Sequence, residues 1–154
     1  DGLFTGVYCA SQCFRYAVTG DEKAKANAKR AVEAMIKLTE VTGKPGFTAR
    51  ATRYSHEENF LTGNREEWHV CEDNPDCEWL GETSSDEMTG HFFGFSLYYD
   101  FCANEEEKAL LCSLNKLFHF ISRKVLNLIN YDIVCRWSSC IDPLPMIVKV
   151  LFVL

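Results

Sequence analysis

The sequence predicts an all-α fold made of about two helical hairpins of an α/α toroid, with a long irregular loop between them and an atypical C-terminal tail. Three observations predict it. The chain repeats itself at an offset of 84 residues, and each repeat holds two helix-like stretches. The first stretch of each repeat is apolar nearly all round, whereas the second has a single apolar stripe. Inner helices covered by outer helices show this alternation.

The repeat divides the chain into segments. We predict a partial toroid domain over residues 1–123, which consists of a hairpin over 3–41, an acidic loop over 43–85 and a hairpin over 86–123. The tail, 124–154, contains Asp142-Pro143-Leu144-Pro145 and ends in a short apolar run. A closed ring of hairpins needs more than two of them, so two flanks of the inner helices are predicted to lack neighbours.

The matching positions lie mostly in the predicted inner helices. Thr5-Gly6 matches Thr89-Gly90, and Phe14 matches Tyr98. The first inner helix is predicted over about 3–18 and the second over about 86–102. Because a helix that is apolar on every face is normally buried on every face, both are predicted to be enclosed. Their apolar residues are Leu3, Phe4, Val7, Tyr8, Ala10, Phe14, Ala17 and Val18, and then Phe92, Phe93, Phe95, Leu97, Tyr98, Tyr99 and Phe101.

The predicted outer helices cover about 22–41 and 105–123. Each has one apolar stripe and one charged face, as expected of a helix that lies on a core. Asn104 and Glu107 have the spacing of an N-cap and a capping box. The stripe of the first outer helix is Ala24, Ala28, Ala31, Val32, Met35 and Ile36.

The charge is distributed unevenly along the chain. Residues 1–54 have a balance of +4, whereas residues 55–87 have a balance of -10 and hold half of the carboxylates. The acidic stretch has no sustained helical period, which predicts a long loop. Long ordered loops are often functional, although a solvated acidic loop without a task is equally consistent with this composition.

The overall composition excludes several classes of protein. The chain has 154 residues, is 47% apolar and has a formal net charge of -6. These values are ordinary for one globular domain and disfavour intrinsic disorder and a nucleic-acid partner. No apolar run reaches the roughly 18 residues of a membrane span. Without an N-terminal methionine or a signal-like stretch, the chain is interpreted as a mature form or a fragment.

Eight cysteines are present, an even number that permits disulfides and favours an oxidising, secreted or extracytoplasmic setting. Cys71 and Cys77 flank a polar turn and are the best candidates for a disulfide. The alternative is a set of buried free thiols, since cysteine packs well as a small hydrophobe. Neither a Cys-x-x-Cys pair nor a zinc-finger histidine spacing occurs, so no metal site and no cofactor are predicted.

Three segments together resemble the six-hairpin glycosidase superfamily, and the resemblance covers about residues 1–123. It implies a carbohydrate-active α/α barrel with a cleft at the N-terminal ends of the inner helices, and glycoside hydrolysis or hydration of an unsaturated sugar as the reaction class. The segments are Gly20-Asp21-Glu22, residues 43–50, and Trp79-x-Gly81-x-Thr83-Ser84-Ser85-Asp86-Glu87-x-x-Gly90-His91-Phe92.

Four carboxylates are candidates for the chemistry. Asp86 and Glu87 open the second inner helix, where the helix dipole favours a carboxylate. Glycoside cleavage needs two carboxyl groups about 5–10 Å apart. Asp1 stands at the matching end of the first inner helix, and Glu82 lies in the same motif as Asp86. The alternatives are that Ser84 and Glu87 form a capping box and that Asp1 is a frayed end.

Four further residues are candidates for substrate binding. His91 is either a ligand for a sugar hydroxyl or a core histidine. Trp68 and Trp79 either stack on sugar rings or pin the acidic loop to the core. Arg50 either pairs with a substrate carboxylate or, like Arg53, with the acids of the loop.

The predicted function is that of a fragment of a carbohydrate-active protein. The favoured activity is glycoside hydrolysis of a poly- or oligosaccharide by carboxylate acid/base chemistry. The alternatives are a non-catalytic α-hairpin domain that binds a glycan or a protein, and an inactive truncated gene product. No nucleic-acid partner and no membrane span are expected.

Overall fold

The computed structural model describes residues 1–54, 56 and 67–114. This part of the chain is mostly helical and contains a small three-stranded sheet. Residues 105–114 belong to a further helix. The predictions for 115–123 and for the tail, 124–154, lie outside the described residues. The helices are α1 (Gly2–Thr19), α2 (Glu22–Glu40) and α3 (Ser85–Phe101), and the strands are β1 (Ala51–Tyr54), β2 (Trp68–Cys71) and β3 (Asn74–Leu80).

Helices α1 and α2 form the first predicted hairpin, with ends within a residue of those predicted. Gly20 ends α1 in the left-handed conformation with φ 65°, which glycine adopts without steric cost. Asp21 then starts α2, because its carboxylate accepts a hydrogen bond from the Lys23 N–H at 2.9 Å. The polar turn therefore stops one helix and caps the next.

Helices α1 and α3 lie parallel and in direct backbone contact. Gly2 faces His91 near the N-terminal ends, Gly6 faces Gly90, and the rings of Phe14 and Phe101 meet at the C-terminal ends with a centroid distance of 5.9 Å. A Cβ atom on Gly6 would fall on the Gly90 carbonyl group. Glycine at this crossing is what permits the close approach, as small residues do at other tightly packed helix pairs.

The stripe of α2 covers α1 and α3, as predicted. Its buried residues include Ala28, Val32 and Met35. The Met35 methyl group lies against Gly94, so a Cβ atom on that glycine would come within 2.8 Å of it. The helical core consists of Cys9, Ala10, Cys13, Ala28, Ala31, Val32, Met35, Phe95, Leu97, Tyr98, Cys102 and Leu111.

The prediction that both inner helices are enclosed is wrong for α1. Its glycines and cysteines are buried, but its large apolar side chains face outwards. The physical reason is that α1 contacts α3 and α2 on two sides and has no helix on the third among the described residues. The exposed fractions are 71% for Phe4, 50% for Val7, 47% for Tyr8, 43% for Phe14 and 85% for Val18. We call these five residues the open face of α1.

The prediction of an irregular loop over 43–85 is also wrong, and with it the strictly all-α fold class. The segment holds an antiparallel sheet with strand order β1-β3-β2. Its buried residues alternate along β3, where Cys77 and Trp79 point into a second small core with Leu38 and Ala49. Arg53 of β1 and Glu78 of β3 are cross-strand neighbours and form an ion pair at 2.6 Å. One carboxylate of the acidic segment is therefore neutralised by a base of the same sheet.

The outer helix of the second hairpin begins as predicted, after Asn104. The Asn104 side chain accepts from the Glu107 N–H at 2.8 Å, and the Glu107 carboxylate accepts from the Asn104 N–H at 2.9 Å, which is the capping box. Glu107 also meets the Lys29 ammonium group at 2.9 Å, which ties this helix to α2. Across residues 1–54, 56 and 67–114, no helix has the length and hydropathy to cross a membrane.

Candidate functional site

The parallel packing of α1 and α3 brings several of the predicted carboxylates to one end of the helix pair. Asp1 caps α1, and Asp86 and Glu87 lie in the first turn of α3. Glu82 is exposed in the connector between β3 and α3. The contacts of Gly2 with His91 and with the Glu87 carbonyl fix this arrangement. The structure therefore brings Asp1, Asp86 and Glu87 to one helix end, and Glu82 precedes α3 in the connector.

Glu87 does not form the predicted capping box with Ser84. The Ser84 side chain makes no capping hydrogen bond, and the Glu87 carboxylate instead accepts from the Leu3 N–H of α1 at 3.1 Å. Glu87 is 3% exposed. Because the two helix starts are adjacent, a carboxylate on α3 can satisfy an orphan N–H of α1. Glu87 is therefore positioned as a cap on its neighbour and is shielded from solvent.

The carboxylates of Asp1 and Asp86 differ in their hydrogen bonding. The Asp1 carboxylate accepts from the Phe4 N–H at 3.0 Å, so it caps its own helix. Asp86 is exposed in the first turn of α3, next to the buried Glu87. Of the three carboxylates at this helix end, Asp86 is the one whose side chain remains open to solvent without a role as an N-cap.

Arg50 fixes the connector that carries Glu82. The Arg50 N–H donates to the Leu80 carbonyl at 2.9 Å, and its guanidinium group donates to the Glu82 carbonyl at 3.4 Å. Gly81 is held in turn, because its N–H donates to the Glu67 carbonyl at 2.9 Å. The connector therefore leaves the sheet in a defined position and presents the exposed Glu82 side chain before α3 begins.

His91 is a core residue. It is 0% exposed, and its Nδ1 atom lies 2.8 Å from the Glu87 carbonyl oxygen. Its Nε2 atom has no well-aligned hydrogen-bond partner within the described ranges. Burial lowers the pKa of His91 because the imidazolium ion loses its hydration, while contacts with backbone carbonyls act in the opposite direction. Of the two alternatives for this residue, the structure favours the core histidine.

We expect the stability of the protein to fall as the pH drops below about 6.5, the ordinary value for histidine. The pKa of His91 is lower in the folded protein, so the unfolded chain takes up the proton first and each protonation favours unfolding. The stability contributed by neutral His91 is complete above this range and is lost as the pH falls towards the folded pKa. Urea unfolding at pH 7.5, 6.5 and 5.5 measures the effect.

The matched variants are His91→Gln, which removes the buried imidazole, and His56→Gln, which removes an exposed one. Only the first should flatten the loss of stability between pH 7.5 and 5.5, whatever its stability at pH 7.5. An unchanged slope in His91→Gln would show that other groups cause the acid sensitivity.

The two tryptophans of the acidic segment are buried. Trp79 is 6% exposed and packs on His69 with a ring distance of 4.4 Å, and Trp68 is 9% exposed. The Arg53 guanidinium carbon lies 3.8 Å from the centre of the Trp68 ring, at cation–π distance. The structure thus buries the two indoles in two different small cores beside the sheet and leaves neither as an open stacking platform.

Cys71 and Cys77, the predicted disulfide, are free thiols in this structure, as are Cys9, Cys13, Cys102 and Cys112. The Cys77 thiol lies close enough to Cys71 to raise the pKa of Cys71. Within the described part of the chain, no group of three or more His, Cys, Asp or Glu side chains is arranged to hold a metal ion.

A shallow groove on the open side of the first hairpin was not predicted from the sequence. It runs between α1 and α2, away from the α1–α3 contact. Its floor is aromatic and its rim carries one cation. The groove is lined by Phe4, Thr5, Tyr8, Asn27, Arg30 and Ala31. The groove exists because Phe4 and Tyr8 are exposed. The all-round apolar pattern of α1 had predicted that they would be buried.

The chain matches no protein-family model, no curated protein and no solved structure. Its function is therefore inferred from the geometry of the helix ends and of the sheet that adjoins them.

Proposed function

We propose that the chain is part of a carbohydrate-active α/α toroid with glycoside hydrolase-like chemistry. The observation that carries the proposal is the parallel pairing of α1 and α3, which gathers Asp1, Asp86 and Glu87 at one end of two inner helices. In the proposed toroid, a cleft opens at this end, and a sugar chain binds across the helix starts. The motif that carries the resemblance, residues 79–92, runs through the same place.

The open face of α1 also supports the toroid. In a ring of helical hairpins, each inner helix has an inner neighbour on both sides. Here α3 contacts α1 on one side, and the apolar residue Val7 remains exposed on another. By the 84-residue repeat this position matches His91, which is 0% exposed. The open face is what an inner helix with one missing neighbour should present.

The structure suggests separate roles for the four carboxylates. Asp86 is proposed as the main catalytic residue, because it is exposed at the start of α3. Glu82 is proposed as the second carboxylate, since Arg50 anchors the connector that carries it. Asp1 and Glu87 are proposed as positioning residues, because both carboxylates accept N–H groups of α1. Acid/base cleavage of a glycosidic bond requires one proton donor and one further carboxylate, which Asp86 and Glu82 supply.

A non-catalytic glycan-binding domain is the second candidate. Its support is that two of the four carboxylates serve as helix caps and that both tryptophans are buried. In that case, the helix end binds hydroxyl groups through Asp86 and Glu82 without bond cleavage. The acidic character of the site disfavours polyanionic glycans in either candidate.

A panel of neutral and uronate-containing oligosaccharides tests the proposal. Each is incubated with the chain and with the longer protein to which it is proposed to belong, and products are read by mass spectrometry. A product whose mass corresponds to addition of water across a glycosidic bond supports the hydrolase. Saturable binding without any product contradicts it and supports the binding domain, and neither binding nor product contradicts both.

A further inference from the structure

Cys71 and Cys77 lie on the two strands of the hairpin formed by β2 and β3. Val70 is paired with Glu78, so the next step of a regular antiparallel ladder places Cys71 opposite Cys77. The ladder is irregular at that step, and Cys71 is instead paired with Asn74. Cys71 is thus the last residue of β2 before the hairpin turn, whereas Cys77 lies within β3, where it is also paired with Tyr54 of β1.

The side chains of both cysteines are on the buried side of the sheet. Cys71 is 6% exposed and Cys77 is 2% exposed, and both belong to one small core with Leu38, Ala49 and Trp79. The Cys77 thiol is close enough to Cys71 to raise the pKa of Cys71. Two neighbouring thiols on adjacent strands, on one side of a sheet, have the arrangement from which a disulfide closes with little backbone movement.

We propose that Cys71 and Cys77 are a reversible dithiol–disulfide site, oxidised by a low-molecular-weight disulfide such as glutathione disulfide, and that the disulfide locks the acidic hairpin between β2 and β3. The hairpin tip holds three exposed carboxylates, Glu72, Asp73 and Asp76. Their mutual repulsion favours opening of the reduced hairpin. The disulfide holds this tip closed against that repulsion.

The exchange proceeds in two balanced steps. The Cys71 thiolate attacks one sulfur of glutathione disulfide, so a mixed disulfide forms and one glutathione thiolate leaves. The Cys77 thiolate then attacks the Cys71 sulfur of the mixed disulfide, and the second glutathione leaves. The two cysteines are oxidised by two electrons, glutathione disulfide is reduced to two thiols, and the two protons of the cysteines end on these thiols.

The environment of Cys71 and Cys77 determines the rate of oxidation. Burial, together with the hydrogen bond to Cys77, raises the pKa of Cys71 to about 12, while the Lys37 ammonium group acts in the opposite direction. The thiolate is therefore scarce in the closed hairpin at neutral pH, and exchange requires transient opening of the turn. We expect slow oxidation that accelerates as the pH is raised from 7 to 9.

The other buried thiols provide an internal comparison. Cys9, Cys13 and Cys102 lie between α1 and α3, with exposed fractions of 0%, 0% and 5%. Access to them requires separation of the two helices at their glycine contact, whereas access to Cys71 requires only fraying at a hairpin end. Under mild conditions, we expect oxidation at Cys71 and Cys77 and none at the three helical cysteines.

The full chain is incubated with glutathione disulfide at pH 8, quenched with acid and alkylated with N-ethylmaleimide. Digestion with a protease that cuts before aspartate separates Cys71 from Cys77 by cleavage at Asp73 and Asp76. We expect these two peptides to remain joined through a disulfide, to separate after addition of dithiothreitol, and the oxidised protein to melt about 5 °C higher than the reduced one. Alkylation of both thiols, or pairing of either with another cysteine, overturns the proposal.

Cys77→Ser and Cys112→Ser are the matched variants. Cys77→Ser should lose the increase in melting temperature and carry one glutathione on Cys71, whereas Cys112→Ser, which changes a half-buried thiol elsewhere, should behave as the wild type. Should Cys77→Ser fail to fold, the peptide map of the wild-type chain still decides between a disulfide and free thiols.

Discussion

Alanine in place of Gly6 is expected to destabilise the protein by about 3 kcal/mol or more, the upper part of the usual range for overpacking. In most helices the same substitution is favourable by up to about 1 kcal/mol, because alanine has the higher helix propensity. Here the added Cβ atom would overlap the backbone of Gly90. Neither side of that contact is a flexible side chain, so the helices must separate and the core between them must repack.

A series of glycine variants makes this expectation quantitative. The Cβ atom added by Gly90→Ala would overlap the backbone of Gly2 and Leu3, so this substitution should destabilise the protein nearly as much as Gly6→Ala. Gly94→Ala first meets the end of the Met35 side chain, which can move, so its effect should be smaller. Gly20→Ala is the control, because no atom lies within 4 Å of its added Cβ atom. Its only expected effect is the conformational strain of an alanine at φ +65°.

Equilibrium unfolding in urea, followed by far-UV circular dichroism, measures the series. The order of destabilisation should be Gly6→Ala first, then Gly90→Ala, then Gly94→Ala. A Gly6→Ala protein as stable as the wild type would show that α1 and α3 do not cross at these glycines, and the shared helix end that carries the proposed function would lose its basis.

The local features of the fold could be read from the sequence. The bounds of α1, α2 and α3, the turn at Gly20 and the capping box at Asn104 all depend on side chains within a few residues of each other. The 84-residue repeat also predicted that Gly6 and Gly90 are equivalent, although not that they touch. Short-range patterns therefore predicted the elements and their order.

Features that depend on distant residues were missed. Strands β1 and β2 have four residues each, and the alternation of β3 is concealed by its acids, so the sheet was interpreted as a loop. The partner of Glu87 lies 84 residues away on α1, whereas the local capping pattern pointed to Ser84. Two hairpins predicted that an inner helix would lack a neighbour, but not that Phe4 would lie on the uncovered side, because composition shows that a face is apolar but not which neighbour covers it.

The contrast between Glu87 and Asp86 follows from the same packing. Two parallel helix starts in contact expose several backbone N–H groups to one small region, and these attract carboxylates. Glu87 and Asp1 satisfy such groups on α1. Asp86 points away from that contact into solvent, so its carboxylate remains available for a substrate. A helix pair that needs two caps can therefore still offer a third carboxylate at the same end.

In the proposed glycoside hydrolase, replacement of Asp86 with asparagine is expected to lower kcat/KM on the oligosaccharide that it cleaves by about 1,000-fold, within the usual range for loss of an acid/base group. Asparagine keeps the size of the side chain but can neither carry nor transfer the proton. Because Asp86 is exposed, we expect the melting temperature to change by no more than about 3 °C. Initial rates on the oligosaccharide identified by mass spectrometry, together with a thermal melt, measure both effects.

Two matched variants separate catalysis from stability. Glu87→Gln keeps an oxygen for the Leu3 N–H but loses the charge that complements the α1 dipole, so it should lower the melting temperature by a few degrees, about 1 kcal/mol in stability. Its loss of rate should be less than tenfold at temperatures where it is folded. Glu106→Gln, which changes an exposed carboxylate in the helix after α3, should alter neither property. Unchanged turnover in Asp86→Asn would remove that residue from the mechanism, and a large loss in Glu87→Gln without a loss of stability would exchange the roles of the two neighbours.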